Sequence, residues 1–288
     1  MHQLAIFSFV FLTMCISPGE DPLNKVPYEI SNPTKIFKLS NELEEVSGIA
    51  LWNDDTLAAI NDEDGKIFFL SAKNGEIIST LKFEGAGDYE DVAIFDRLIW
   101  VVRSDGKLYK LKNIESNKSD VSKVKTRLNT DNNVEGLCYY APSNQLWLAF
   151  KDAPNLKDKA KMKGMRAVYA FDIHSGKLLN EPVLKFKEDS IMHLLHSKYN
   201  NRIGDRFKPS AVEVNPVDGD IYILSAVNGL LLVYDSSRVY KDIIRLPSGN
   251  LPQAESLCFD REGNLYIASE GSGGRAHLLF FHRKQKVK

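Results

Sequence analysis

Ser47-Gly48-Ile49-Ala50-Leu51 is the stretch on which the fold turns, because the same phrase returns four more times. The copies are Glu90-Asp91-Val92-Ala93-Ile94, Glu135-Gly136-Leu137-Cys138-Tyr139, Ser210-Ala211-Val212-Glu213-Val214 and Glu255-Ser256-Leu257-Cys258-Phe259. Each opens on Glu or Ser, takes a mostly small residue, then runs apolar as a strand does. Their first residues stand 43, 45, 75 and 45 positions apart. A period of about 45 residues built only from short strands is that of a β-propeller.

Outward from each phrase the sequence reads as four strands. The phrase itself is the first strand. A tight turn follows, such as Asn53-Asp54-Asp55 or Arg261-Glu262-Gly263-Asn264. Asn, Asp and Gly supply the backbone freedom and side-chain bonds that hairpins need. The second strands are 56–60, 98–102, 145–150, 221–224 and 265–268. The third are 67–71, 108–111, 167–171, 230–234 and 277–281. Fourth strands follow in four repeats, at 77–83, 121–128, 178–186 and 240–246. The fifth repeat has none, but Thr34-Lys35-Ile36-Phe37-Lys38-Leu39 is a spare strand at the other end. Pairing it with the last blade closes the ring and removes a sheet edge. The expected fold is therefore all-β, one propeller over 34–282 with five four-stranded blades. The long third interval leaves six blades as the alternative. Its surplus divides into a Lys-rich insert at 151–166 and a helix-like stretch within 187–207.

The chain has 288 residues, 43% hydrophobic and 26% charged, with net charge −1. That balance suits a globular domain and supplies no basic field for nucleic acid. Residues 3–14 are mostly apolar, too short for a bilayer span and of the length of a signal-peptide core. Cys15 follows at Leu12-Thr13-Met14-Cys15, which resembles a lipoprotein signal and marks Cys15 as a candidate for lipidation. Met14 stands where a small residue is expected, and the start carries no Lys or Arg. The expected layout is a signal at 1–14, a flexible tether at 15–33, the propeller, and a solvated basic tail at 283–288. It places the chain outside the cytoplasm, in the cell envelope or on a membrane by a lipid anchor. Three Cys make no disulfide framework. Cys138 and Cys258 share one position of the repeat and are expected in the core.

Innermost propeller strands all point the same way, so Ser47, Glu90, Glu135, Ser210 and Glu255 should ring one mouth of the channel. Returning loops bring Asn61, Asp62, Glu63, Arg103, Ser104, Lys151, Asp152, Ser225, Asn228, Ser269 and Glu270 to the same face. Glu45, Asp88, Asn133, Lys208 and Gln253 come just before the ring. Crowded carboxylates either take a cation or hold protons. Oxygen-only donors suit a hard ion such as Ca²⁺, with Glu90, Glu135, Glu255, Asp62 and Asp88 the candidate ligands. Ser47, Glu90, Glu135, Ser210, Glu255, Arg103 and Glu270 are the candidates for holding a small polar ligand. In the plainer reading, the same Ser and Glu residues hydrogen-bond neighbouring loops and hold the ring together. His193 and His196 lack a zinc-protease pattern, Gly271-Ser272-Gly273-Gly274 lacks the Lys of a phosphate loop, and there is no Gly-x-Ser-x-Gly elbow.

Taken in order, several segments resemble the bacterial SdiA-regulated protein family. They are Glu45–Ala50, Asn61–Gly65, Gly87–Val92, Asn133–Leu137, Phe207–Val212, Gln253–Leu257 and Gly263–Glu270. The resemblance covers roughly 35–282 and implies an envelope-associated propeller without naming an activity. Asp91 and Ser256 depart from it, standing where the family often has Gly. The leading expectation is a non-catalytic, monomeric propeller that binds a cation, and a small polar ligand, at an acidic mouth. One alternative is a metal-dependent hydrolase of phosphoesters or lactones, with Glu90 or Glu135 activating water. The other is a protein-interaction platform using the 151–166 insert.

Overall fold

The computed structural model describes residues 25–115, 118–152, 154, 156, 162–199, 206–247, 249 and 251–285. The signal at 1–14, Cys15, the first part of the tether, residues 153, 155 and 157–161 of the Lys-rich insert and the last three residues of the basic tail lie outside the described residues. Strand β1 (Lys35–Lys38) comes first. Blade one is β2 (Val46–Asn53), β3 (Thr56–Asn61), β4 (Lys66–Ser71) and β5 (Ile77–Lys82). Blade two is β6 (Tyr89–Phe95), β7 (Leu98–Arg103), β8 (Leu108–Glu115) and β9 (Lys118–Val124). Blade three is β10 (Val134–Tyr140), β11 (Gln145–Phe150), β12 (Met165–Asp172) and β13 (Lys177–Lys187). Helix α1 (Glu188–Tyr199) leads to blade four, which is β14 (Ala211–Val214), β15 (Ile221–Ser225), β16 (Leu230–Tyr234) and β17 (Tyr240–Arg245). Blade five has β18 (Gln253–Phe259), β19 (Leu265–Glu270) and β20 (His277–Phe281), and β1 completes it.

All five sheets are antiparallel, and β1 pairs with β20 from Lys35 opposite Phe280 to Lys38 opposite His277. The ring thus has five blades, closed by its own N-terminal strand. The surplus in the third interval is the insert and α1 rather than a sixth blade.

Period-2 alternation along the inner strands divides the work. The third residue of each phrase, Ile49, Val92, Leu137, Val212 or Leu257, enters a different apolar cluster between neighbouring blades. The second and fourth residues turn to the next blade, and at the second position space is short. A Cβ on Gly136 would lie 2.8 Å from the Val212 nitrogen, and one on Gly48 would lie 2.8 Å from the Asp91 Cα. Small residues here let five strands approach one axis. Cys138 and Cys258 are free and buried on inner strands. Helix α1 packs Ile191, Met192 and Leu195 into the cluster between blades three and four, and Glu188 holds Arg166 at 2.8 Å.

Two expected boundaries are corrected. The segment read as a tether is packed from Val26 onward. Val26, Tyr28 and Ile30 alternate, so one face of the segment is apolar and fills the cluster between blades four and five. The buried Tyr28 hydroxyl donates to the Gly263 carbonyl at 2.5 Å and accepts from Asn215 Nδ2 at 2.7 Å. The segment read as a solvated tail is likewise tied down at its start. Arg283 reaches Asp218 at 2.7 Å, and the Lys284 N–H donates to the Pro27 carbonyl at 2.8 Å. Residues 26–30 and 283–284 therefore meet beside the β14–β15 and β18–β19 turns of blades four and five.

Candidate functional site

Four of the five ring residues reach the mouth by a shared backbone device. Cross-strand pairing skips from Val46 to Gly48, Tyr89 to Asp91, Val134 to Gly136 and Ala254 to Ser256. Ser47, Glu90, Glu135 and Glu255 are the extra, unpaired residues of four β-bulges. A bulge bends its strand and re-aims the side chain it carries. Blade four has no such shift; Ser210 sits one residue before β14, its N–H on the Leu224 carbonyl at 2.9 Å.

The two serines are used between blades. Ser47 Oγ donates to the Tyr89 carbonyl at 2.8 Å and Ser210 Oγ to the Ala254 carbonyl at 3.3 Å. Each bond lands on the residue just before the glutamate of the next blade. Below them, Asp91 accepts from the Leu137 N–H at 2.7 Å and the Val92 N–H at 2.8 Å. Ser256 Oγ donates to Asp91 at 3.3 Å and accepts the Ile49 N–H at 2.9 Å. Where the resembling family often has Gly, this chain has a polar crosslink that fills the channel.

Above that crosslink lies a cavity of about 380 Å³, within the usual range for small-ligand sites. Asp62, Asp88, Glu90, Glu135, Glu255 and Glu270 line it, with Lys151 as its cation, alongside Ser47, Asn133, Ser210 and Gln253. Glu135 is 6% exposed and pairs with Lys151 at 3.1 Å. Burial, then the Glu135 and Asp88 carboxylates, pushes Glu90 far above the usual carboxylate range. Burial also raises Glu135 and Glu255, against the pull of Lys151.

A second feature lies at the rim between blades one and five. One oxygen each from Glu45, Asp62 and Glu270 lies within 4.8 Å of the others. Among the described residues this is the group of acidic or sulfur and imidazole donors close enough to share an ion. Asp62 Oδ1 is buried without a hydrogen-bond partner. Burial, then Glu45 and Glu63, pushes Asp62 up to about 6. Burial and the hydrogen bond with Glu45 raise Glu270. The donor set is all oxygen, as a hard cation requires.

Of the residues predicted to hold a metal, Asp62 is in this group, whereas Glu90, Glu135, Glu255 and Asp88 line the cavity beside it. Asp88 accepts a hydrogen bond from Ser104. Glu45 completes the group; its place just ahead of the first phrase was the sequence signal for it. Arg103, expected at the mouth, does not line the cavity. It stands opposite Tyr89 on β6 and so points to that residue's face of the blade, where it pairs with Asp105. Lys208 pairs with Asp152 at 2.8 Å, which leaves Lys151 as the cation of the cavity wall. One half-buried carboxylate was not expected at a site. Glu213 occupies the fourth position of its phrase, where the other blades have Ala50, Ala93, Cys138 and Cys258.

Comparison with solved structures places the fold alone. A glutaminyl cyclase of Myxococcus xanthus superposes with a TM-score of 0.58 at 11% identity, over 87% of this chain and 95% of that one. A luciferin-regenerating enzyme superposes with a TM-score of 0.53 at 11% identity, over 89% and 96%. No curated protein matches the chain by sequence. A family model described as SdiA-regulated matches residues 34–273, which carry four blades and every strand of the fifth but β20, together with every residue of the acidic mouth, and the chain belongs to that family.

Proposed function

We propose that this chain is an exported, non-catalytic binding propeller whose acidic mouth takes a divalent cation at Glu45, Asp62 and Glu270. The adjoining cavity would take a small polar ligand. The observation that carries this reading is the meeting of carboxylate oxygens from three residues within 4.8 Å, together with the unpartnered Asp62 Oδ1. Like charges at that distance repel strongly in a partly buried site, and a cation relieves them. Ca²⁺ takes six to eight oxygens in flexible geometry, so three carboxylates leave positions for water or for a ligand oxygen from the cavity. Ca²⁺ is the ion this donor set favours. The cavity wall is almost wholly polar, which favours a hydroxyl- or amine-bearing ligand over an apolar one. Export rests on the apolar run at 3–14 and on Cys15.

The test is thermal unfolding of purified, chelator-treated protein with Ca²⁺, Mg²⁺ and Mn²⁺ added in turn. A saturable rise in melting temperature with Ca²⁺, lost in Asp62→Asn, supports the reading. No response to any of the three ions overturns it. Metal-dependent turnover of a phosphoester or lactone panel would move the chain to the hydrolase class. A mass spectrum of the N-terminus of the exported protein tests the lipid anchor: an unmodified Cys15 removes it.

A further inference from the structure

The channel has a second mouth, separated from the acidic one by the Asp91–Ser256 crosslink, and its cavity of about 420 Å³ is of a different kind. Four of its lining residues are aromatic, alongside three carboxylates and two arginines. Trp52, Phe95, Tyr139 and Phe259 come from blades one, two, three and five, each from the fifth or sixth position counted from the start of its phrase. Phe95 and Tyr139 are stacked with ring centroids 3.8 Å apart and planes 12° from parallel, which makes one continuous wall. The fourth blade contributes Glu213. At the same position of the phrase, Ala50, Ala93 and Cys258 line the cavity with small side chains, and Cys138 sits in the cluster between blades three and four.

Glu213 is underused by the fold. Its Oε1 accepts the Val214 N–H at 2.8 Å, a bond within its own strand. Among the described residues it makes no ion pair. The charges around it are spent elsewhere or lie at the rim. Asp91, on the neighbouring channel level, is held by Val92, Leu137 and Ser256. Asp260 is held by Asn264, and Arg261 reaches Asp54 at 3.3 Å. Asp96 and Arg97 are exposed neighbours on one turn. Blade one supplies Ala50 at this level and no charge.

We propose that this second mouth binds a bulky organic ammonium, of the quaternary or heavily alkylated class, seated against the aromatic rings with Glu213 as its counter-charge. A hard metal ion fits poorly, since one carboxylate cannot supply its oxygens. An anion meets Glu213. A neutral apolar molecule would gain the walls and leave Glu213 unanswered. A quaternary ammonium needs no hydrogen bonds; aromatic rings and a nearby anion hold it, and four aromatic rings and the Glu213 carboxyl group line this cavity. The site is independent of the acidic mouth, and its failure would leave that reading untouched.

Burial pushes the empty Glu213 up to about 8. A cation favours the ionised form, so binding releases a proton and affinity should rise with pH through about 8. Cys138 and Cys258, which face Glu213 from blades three and five, are held neutral by burial and add no charge over that range.

Choline is a suitable probe because its charge does not titrate, and 3,3-dimethylbutan-1-ol is its neutral counterpart of the same shape. Calorimetry on the calcium-loaded wild type should show saturable choline binding at pH 9, with the alcohol about tenfold weaker or worse. Glu213→Gln should bring the two within about twofold of each other and abolish the pH dependence of choline binding. Tyr139→Ala, at the accessible edge of the wall, should weaken choline while leaving the calcium response intact; retained melting temperature and circular dichroism establish that both variants fold. No saturable choline binding to the wild type, equal affinity for choline and the alcohol, or unchanged choline affinity in Glu213→Gln would each overturn the proposal.

Discussion

The Asp91 carboxylate accepts the Leu137 N–H at 2.7 Å, from the inner strand of one blade to that of the next. It also accepts the Val92 N–H and meets Ser256, whose hydroxyl takes the Ile49 N–H. Four blades are joined through two side chains that the rest of the ring replaces with Gly or Ala. Asp91→Ala should therefore leave two buried N–H groups without acceptors, each lost partner costing about 1–3 kcal/mol. A fall of about 2–4 kcal/mol in urea-unfolding stability is expected. A neutral result would mean that water replaces the carboxylate.

Crowding at the axis yields a second expectation. Gly136→Ala puts a methyl group 2.8 Å from the Val212 nitrogen and 2.9 Å from the Ala211 backbone, both main-chain atoms. Main chain cannot swing aside as a side chain can. The substitution should destabilise by about 1–3 kcal/mol as an overpacked site does. Gly164→Ala, whose added Cβ meets nothing within 4 Å, is the comparison; there only the positive φ of 70° opposes it. Equal effects in chemical denaturation would remove crowding as the cause.

Closure of the ring can be tested at both of its seams. Tyr28→Phe deletes the hydroxyl that bridges Gly263 and Asn215, and should cost about 1–3 kcal/mol because both partners are buried with it. Removing residues up to Leu39 also exposes the β20 edge and should bring cooperative unfolding of the whole propeller to a lower temperature. A truncated protein with an unchanged melting temperature would show that β1 contributes nothing to closure.

Two sets of carboxylates at the acidic mouth separate by substitution. Changing Glu90, Glu135 and Glu255 together to Gln should preserve the calcium-induced rise in melting temperature, because their oxygens stand outside the Glu45–Asp62–Glu270 group. Glu270→Gln should remove it. A site filled at 100-fold over its dissociation constant contributes about 2.7 kcal/mol, well within reach of calorimetry. A response lost in the triple variant and kept in Glu270→Gln would relocate the ion to the cavity.

Glu213 gives stability a pH signature. Its folded value is raised to about 8 by burial, from an ordinary value of 4.5. Between those limits the folded state holds a proton that the unfolded state has lost. Stability then declines as pH rises through that window, by at most about 1.4 kcal/mol per pH unit, and levels off above it. Without ligand, Glu213→Gln should match the wild type near pH 4.5 and exceed it at pH 9. Parallel melting curves for the two proteins across pH 4.5–9 would disprove the assignment.

Fold and site were legible to different depths. Repeat period, strand order and the closing strand are local properties: they follow from alternation, turn residues and the count of strands, all present along the chain. The ring of Ser47, Glu90, Glu135, Ser210 and Glu255 was legible for the same reason, since repetition puts equivalent residues at equivalent places. Arg103 was misplaced because one residue of register decides which face of a strand a side chain takes, and the bulge at Glu90 shifts that register invisibly. Val26, Tyr28 and Ile30 looked like a tether because a short apolar alternation means little until a groove between two blades is there to receive it.

The repeated pattern was enough for a propeller with an acidic mouth, because it encodes local geometry five times over; five blades were its first reading and six its alternative, and the sheet order decided for five. Only the tertiary structure decided which carboxylates meet. Glu45, Asp62 and Glu270 come from the first and last blades and touch only when the ring closes. Asp91 and Glu213 became channel groups for the same reason: a side chain's neighbours across an axis are set by the other four strands, and no stretch of chain contains them.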